Sequence, residues 1–285
     1  MKIGIITVSV DVAALAKRAE ELGFDSFWIP EHTATPVHIA PKTTTYRLHL
    51  EPDGTPQPLY RSGKFADPFI TLARASAMTQ TIKLGTGVCL VPEHHPLLLA
   101  KQVATLDNFS GGRFLFGIGA GWLNEETEIM GGDFAHRWGQ TREAILAMKG
   151  LWSQEAAEFH GKYYDFPSVI AFPKPVQQPH PPIYIGAFGM GNVFRRVVTY
   201  GNAWMPWMFT PEQIRQGRAI LNDLARDAGR DPHSIEVVAM PVPANPDVFK
   251  AYEDAGADGV VVLVMPAPEK EMVRELEQIA QKVLT

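Results

Sequence analysis

The stretch KIGIITVSVDVAALAKRAEELGFDSFWIP, residues 2–30, holds the first copy of the pattern that decides the fold. A β-branched apolar run over Lys2–Val8 predicts a strand, and Asp25–Pro30 predicts a second one. Between them apolar residues recur at helical spacing, with Asp11 as the expected N-cap and Gly23 as the left-handed stop. The strand runs are continuously apolar rather than alternating, which predicts a parallel sheet covered by helices on its faces.

The same strand–helix unit is repeated along the chain. Further strands are predicted at Ile82–Leu90, Arg113–Gly119, Ile183–Ala187, Ala203–Trp207, Ile235–Ala239 and Gly259–Val264, each followed by a helical pattern. Eight such units in 285 residues predict an α/β protein with one (β/α)8 TIM-barrel domain over residues 1–285. A doubly wound sheet is the competing architecture. Insertions are expected after strand two (residues 31–66) and before strand five (residues 156–182), the latter with a hairpin around His160–Gly161.

Composition excludes several classes of protein. The chain is 46% hydrophobic and 20% charged, so it can build a large core and is not disordered. Its net charge of -5 and the absence of a basic block make nucleic acid an unexpected partner. No apolar run is long enough to span a membrane, the N-terminus lacks signal-peptide features, and a single cysteine excludes an intrachain disulfide. We expect a cytoplasmic protein that acts on a small molecule.

In such a barrel the active site lies at the C-terminal ends of the strands. These ends carry mainly aromatic, Met and Gly residues, which suit a large apolar ring system better than a small charged substrate. The turn Gly186–Gly191 follows a strand and opens a helix, so its amides are candidate phosphate ligands, with a tight turn as the structural alternative. Gly117, Gly119 and Gly121 alternate along strand four and allow close approach of a flat ligand or of a neighbouring strand.

Histidines follow two of the strands. His32 is a candidate proton donor or hydrogen-bond partner at the end of strand two, although a lone histidine is more often structural. Glu93, His94 and His95 could join His32 in a metal site, as in a barrel metallohydrolase. Adjacent histidines rarely bind one ion together, and Pro96 follows directly, so the pattern favours a turn into the next helix and no metal is expected.

Three segments of the chain resemble the luciferase-like monooxygenase superfamily. They read ELGFDSFWIPEH, IKLGTGVCLVPEHHPLLLAKQVATLDNFSGGRFLFGIGAGW and KPVQQPHPPIYIGAFG, and they occur in this order over most of residues 1–190. Within the superfamily the chain looks most like the deazaflavin (coenzyme F420) oxidoreductases. The resemblance implies a barrel whose mouth binds a flavin or deazaflavin ring, and it also implies a homodimer.

The resemblance further implies roles for individual residues. His32 is expected beside the ring as both a catalytic and a cofactor-binding residue. The backbone at Gly87-Val88, often a cis peptide in this family, is expected to support the ring. Positions expected near the cofactor side chain and its phosphate are Ala120, Gly121, Gly186, Ala187, Phe188 and Gly189. Residues 33–66 are expected to fold over the ring as a lid.

Two departures from the family refine the expectation. FMN-using members place an arginine where Ala120 stands, which favours F420 over FMN here. The F420-dependent glucose-phosphate dehydrogenases place a glutamate where Trp122 stands, which disfavours a sugar phosphate. Trp122, Trp204 and Trp207 are candidate walls of the substrate pocket, with Trp28 as a further one. We therefore expect an apolar or aromatic organic substrate.

The expected function is hydride transfer between C5 of F420 and that substrate. Three alternatives stay open at this point. The first is an FMN-dependent monooxygenase that uses reduced flavin and O2. The second is the barrel metallohydrolase, and the third is a homologue that binds flavin without catalysing a reaction.

Overall fold

The computed structural model describes residues 1–37, 39 and 63–284. The strands are β1 (Lys2–Ile6), β2 (Ser26–Ile29), β3 (Lys83–Thr86), β4 (Cys89–Leu90), β5 (Phe114–Gly119), β6 (Ala157–His160), β7 (Asp165–Val169), β8 (Ile183–Ala187), β9 (Ala203–Pro206), β10 (Glu236–Ala239) and β11 (Gly259–Leu263). The helices are α1 (Ala13–Leu22), α2 (Pro68–Met78), α3 (Pro96–Phe109), α4 (Asn124–Ile129), α5 (Arg137–Ser153), α6 (Val193–Tyr200), α7 (Pro211–Asp227), α8 (Pro246–Asp254) and α9 (Glu269–Val283). No helix within these ranges is both long and apolar enough to cross a bilayer.

Nine parallel strands close into a barrel. The order is β3-β2-β1-β11-β10-β9-β8-β5-β4, and an additional pairing of β3 with β5 closes the ring. Because β3 and β4 share one position in the wall, the barrel has eight positions, and the predicted (β/α)8 fold is confirmed. The hairpin predicted before strand five is also confirmed, since β6 and β7 pair antiparallel with His160 opposite Asp165.

The third predicted strand is not continuous. Ile82–Leu90 was expected as one strand, but the pairing is interrupted between Thr86 and Cys89, and the Gly87–Val88 peptide is cis. Gly117 on β5 packs against this interruption. A Cβ at residue 117 would overlap the carbonyl oxygen of Thr86, and the Thr86 hydroxyl donates to the carbonyl of Gly117 at 2.6 Å. Of the two explanations for the glycine at 117, close approach of a neighbouring strand is the correct one.

The start of α1 also differs from the prediction. The helix begins at Ala13 with Val12 as its N-cap, and the Val12 side chain cannot cap it. Asp11 lies one residue before the N-cap position, where its carboxylate accepts from the Ala13 amide at 3.4 Å and also pairs with Arg74 at 3.0 Å. The left-handed stop is confirmed, since Gly23 has a φ of 94°.

Side chains pack on both faces of the sheet. One core lies between the strands and the helices, and a smaller one fills the barrel interior. Trp28 belongs to the interior core, is 1% exposed, and donates from Nε1 to Ser26 Oγ at 2.8 Å. It is therefore a core residue beneath the strand ends and does not line the cavity described below, in contrast to the expectation.

Candidate active site

A cavity of about 320 Å³ opens at the C-terminal ends of the barrel strands. One end is apolar and is formed by Ile6, Val8, Met205, Met240 and Leu263. The other end is polar and contains the glycine-rich turn, Asn192 and two arginines. Most of the residues predicted from the sequence line this one cavity, namely His32, Gly87, Val88, Ala120, Gly121, Trp122, Gly186, Ala187, Phe188, Gly189 and Trp207.

Trp204 does not line the cavity, and its assignment to the substrate pocket is wrong. Successive side chains of a strand point to opposite faces. On β9, Ala203 and Met205 face the barrel interior, so Trp204 faces the helices. It is fully buried there with ring centroids 4.9 Å from Phe194 and 5.5 Å from Phe209.

His32 is held by a buried carboxylate on α4. Glu126 Oε2 lies 2.6 Å from His32 Nδ1, and its Oε1 accepts from the amide of Ala34 at 3.0 Å. The side chains of His32 and Glu126 are 8% and 1% exposed. Hydrogen bonds compensate for removing this carboxylate from water. The sequence analysis missed Glu126 because α4 was not predicted, although the acidic cluster after strand four was a visible signal.

The contacts of His32 define its tautomer. Trp122 donates from Nε1 to His32 Nε2 at 3.4 Å, so Nε2 is the acceptor and Nδ1 carries the proton that faces Glu126. The rings of Phe65 and Trp122 meet the imidazole edge-on, with centroids 5.0 and 5.8 Å away. A carboxylate that fixes one ring nitrogen leaves the other as a base of defined orientation.

Val88 forms a wedge between two glycines of the wall. A Cβ at residue 119 or residue 186 would lie 2.8 Å from a Val88 methyl group. Larger side chains at these positions would displace Val88 or close the cavity. Steric demands of the protein itself therefore explain Gly119 and Gly186.

The turn after β8 has a different character at Gly189 and Gly191. A Cβ at either position would meet no protein atom within 4 Å, so packing does not require glycine there. Both residues line the cavity directly before α6 begins at Val193. Exposed amides at the start of a helix suit an anion, and this favours the phosphate interpretation of the turn.

Two arginines from neighbouring helices line the same end. Arg137 donates from Nε to the carbonyl of Gly121 at 3.1 Å and lies 3.9 Å from the centroid of the Phe134 ring. Arg196 stacks on Trp138 at 4.0 Å. Burial, and to a smaller extent the charge of Arg137, lowers the pKa of Arg196. A bound anion would offset both effects. The sequence analysis missed these arginines because it searched the strand ends rather than α5 and α6.

The residues of the metallohydrolase alternative do not converge. His94 donates from Nε2 to Glu31 Oε1 at 3.0 Å, and Glu31 Oε2 accepts from the Leu90 amide at 2.6 Å. Burial opposes ionisation of both groups, but their pairing lowers the pKa of Glu31 and raises that of His94. His95 instead accepts from the Leu97 amide at the start of α3, away from His32.

The Cys89 thiol lies within 4.8 Å of the Glu31 and His94 ligand atoms. Burial first, and then the charge of Glu31, raises the pKa of this thiol well above its usual range. The thiol therefore stays protonated at neutral pH without a bound ion. This group is a buried ion pair that links the ends of β2 and β4.

The lid hypothesis concerns residues 33–66, of which residues 38 and 40–62 lie outside the described residues. Besides Ala34, whose amide binds Glu126, two apolar residues of the described part of this segment reach the site. Phe65 contacts His32, and Ile39 packs with Trp122 and Leu123. Phe65 thus places apolar surface against the imidazole, and Ile39 places it against the Trp122 side chain that contacts the imidazole.

The fold and the cavity are those of a (β/α)8-barrel protein with a site at the strand ends. The model of the luciferase-like monooxygenase family matches residues 9–249, and the chain belongs to this family. The chain is 35% identical over 274 residues to an uncharacterised protein of Mycobacterium tuberculosis, covering 95% of this chain and 93% of that one. It is 31% identical to the FMNH2-dependent dimethylsulfone monooxygenase of Pseudomonas putida, over 59% of this chain and 46% of that one.

Solved structures share the fold along the whole chain. Monooxygenase RslO1 of Streptomyces bottropensis has a TM-score of 0.77 at 22% identity, covering 100% of this chain and 99% of that one. The coenzyme F420-dependent tetrahydromethanopterin reductase of Methanopyrus kandleri also has a TM-score of 0.77, at 19% identity, covering 99% and 98%. Proteins similar to this chain thus include both F420-dependent and FMN-dependent enzymes.

Proposed function

We propose that this protein is an F420-dependent oxidoreductase that transfers hydride between C5 of the deazaflavin and a small apolar or aromatic molecule. The observation that carries the proposal is the composition of the cavity along its length. An apolar lining at Ile6, Val8, Met205, Met240 and Leu263 continues into an anionic-ligand end at Gly189, Gly191, Arg137 and Arg196, and His32 lines the same cavity. A planar ring joined by a flexible chain to a phosphate matches that order.

The residues present fit such a group. Gly189 and Gly191 leave open space at their backbone, and two guanidinium groups offer positive charge at the same end. Ala120 stands where FMN-using members of the family carry an arginine, which favours F420. When bound, the deazaflavin supplies the hydride acceptor or donor.

The protein's own residues would position the reactants and move a proton. His32 Nε2 would accept the proton of an alcohol-type substrate, or return it in the reverse direction, while Glu126 holds Nδ1–H and stabilises the imidazolium. Phe65, Trp122 and Trp207 would exclude water from the part of the cavity around His32. The apolar lining there favours a substrate without charge.

An FMN-dependent monooxygenase is the second candidate. The arginine pair would also suit a phosphate monoester, and one relative uses FMNH2. Equilibrium dialysis and fluorescence quenching with each cofactor decide between the two. We expect micromolar binding of F420 and at least about tenfold weaker binding of FMN. Micromolar FMN binding without F420 binding would reverse the choice.

Replacing Arg196 by glutamine tests the anionic end of the cavity. We expect F420 binding to weaken about 10- to 100-fold, as for loss of a charge-assisted hydrogen bond. Binding of the deazaflavin chromophore without its phosphate should change little, because that ligand does not reach the arginine. Arg195→Gln is the matched control, since Arg195 is exposed on the same helix. Equal weakening for both ligands would place the phosphate elsewhere.

A further inference from the structure

Three carboxyl groups are buried near His32, and one of them, that of Glu93, differs from the others in its hydrogen bonding. Glu126 binds His32, and Glu31 binds His94 and the Leu90 amide. Glu93 is 7% exposed, and neither of its oxygens makes a regular hydrogen bond among the described residues. A buried carboxylate without such bonds is unfavourable, whereas the neutral acid is far less so.

The surroundings of Glu93 are fixed by three segments of the chain. It ends a short 3-10 helix over Val91–Glu93, directly after β4. Its Oε1 lies 3.9 Å from the position that a Cβ at residue 121 would take, on the cavity wall beside α4. Glu93 interacts electrostatically with three ionisable groups, namely Glu126 on α4, Glu31 after β2 and the Cys89 thiol.

These surroundings oppose ionisation of the Glu93 carboxyl group. Burial, then repulsion from Glu126 and Glu31, raises the pKa of Glu93 to about 9, and a contact with Thr33 opposes the rise only partly. Two neighbouring carboxyl groups in a desolvated site do not both ionise easily. Glu93 therefore keeps its proton at neutral pH.

We propose that Glu93 is held in the wall of this site as the neutral acid, while Glu126 is the carboxylate that binds His32. Glu93 is then a positioning residue, because it limits the negative charge on the His32 side of the cavity to that of Glu126. A second negative charge there would oppose the binding of an anionic ligand. The role in binding rests on the proposed function, whereas the protonation of Glu93 does not.

The first test compares the stability of the wild type with that of Glu93→Gln across pH, without any ligand. The unfolded chain loses this proton above about pH 4.5, whereas the folded chain keeps it up to about pH 9. Unfolding thus releases a proton between these values, and the stability of the wild type falls as the pH rises. The ratio of the wild-type to the Glu93→Gln unfolding constant should rise about tenfold per pH unit between pH 5 and pH 8.

The matched control is Glu128→Gln, an exposed position on α4, the helix that carries Glu126, for which the ratio should stay constant. A constant ratio for Glu93→Gln as well would overturn the proposal. If Glu93→Gln does not fold, the infrared band of a protonated carboxyl group in the wild type decides. Its presence at pH 7 and loss above about pH 9 support the proposal, and its absence at pH 7 overturns it.

The second test measures F420 affinity as a function of pH. Above about pH 9, binding to the wild type should weaken about threefold to tenfold, while binding to Glu93→Gln should not. If Glu93 had a purely structural role, Glu93→Gln would change the F420 affinity equally at every pH. An equal loss of affinity above about pH 9 in both proteins therefore overturns the positioning role. If neither protein binds F420 at any pH, the proposed function fails, and the stability ratio still decides whether Glu93 is protonated.

Discussion

Replacing His32 by alanine should lower the turnover of the F420-linked reaction by about 100- to 1,000-fold, the usual contribution of a well-placed general acid or base. The dissociation constant of F420 should change by less than about threefold, since the proposed phosphate contacts lie at Gly189, Gly191 and Arg196. The reason is the buried Glu126, which fixes the imidazole so that Nδ1 faces its carboxylate and Nε2, which Trp122 contacts at 3.4 Å, is the acceptor. Single-turnover hydride transfer and fluorescence-based binding measure the two quantities separately.

His160→Ala is the control for this experiment. His160 lies on the hairpin outside the cavity, its side chain is 63% exposed, and its loss should leave turnover unchanged. Turnover of His32→Ala at the wild-type rate would remove His32 from the mechanism. Loss of F420 binding by the same factor as turnover would instead make it a binding residue only.

Replacing Gly117 by alanine should cost about 3 kcal/mol or more of the free energy of unfolding, near the upper end for overpacking a core. The added methyl group would overlap the backbone oxygen of Thr86. Backbone cannot move aside as a side chain can, and Thr86 is tied back to Gly117 by its own hydroxyl. Denaturant unfolding followed by tryptophan fluorescence gives the difference, and the soluble fraction on expression shows complete failure to fold.

Gly150→Ala makes the same chemical change where the structure has room. Gly150 lies on α5, and its added Cβ would stand 3.7 Å from the Ala157 side chain, an ordinary contact. Alanine in a helix should stabilise the protein by about 0.5–1 kcal/mol. The two substitutions therefore have opposite expected signs. A Gly117→Ala protein as stable as the wild type would contradict the packing of β5 against β3.

The sequence predicts most of the barrel because each strand and helix carries its own local signal. The strand Ile183–Ala187 begins and ends where the pattern places it, and a helix follows it as predicted. The interruption at Gly87–Val88 was not visible in periodicity, since the run around it is apolar throughout. It entered only through the resemblance to a family. The short α4 is polar and six residues long, too short for a periodic signal.

The candidate site was predicted less completely, for a physical reason. Strand ends can be read from the sequence, so His32 and the residues around Gly186 were found. Trp204 was misplaced because the facing of a strand depends on its register, which a short apolar run does not fix. Arg137, Arg196 and Glu126 come from helices, and their approach to the cavity depends on packing between distant segments.

The two ends of the cavity are built from separate parts of the chain, and this separation bears on how the protein could evolve. Arg137 and Arg196 project from helices, whereas the opposite end is formed by Val8, Met240 and Leu263 at or just beyond strands β1, β10 and β11. Mutations at that end could exchange one substrate for another without disturbing the proposed phosphate site. Duplicated copies of such a gene could therefore diverge in chemistry while retaining the same coenzyme.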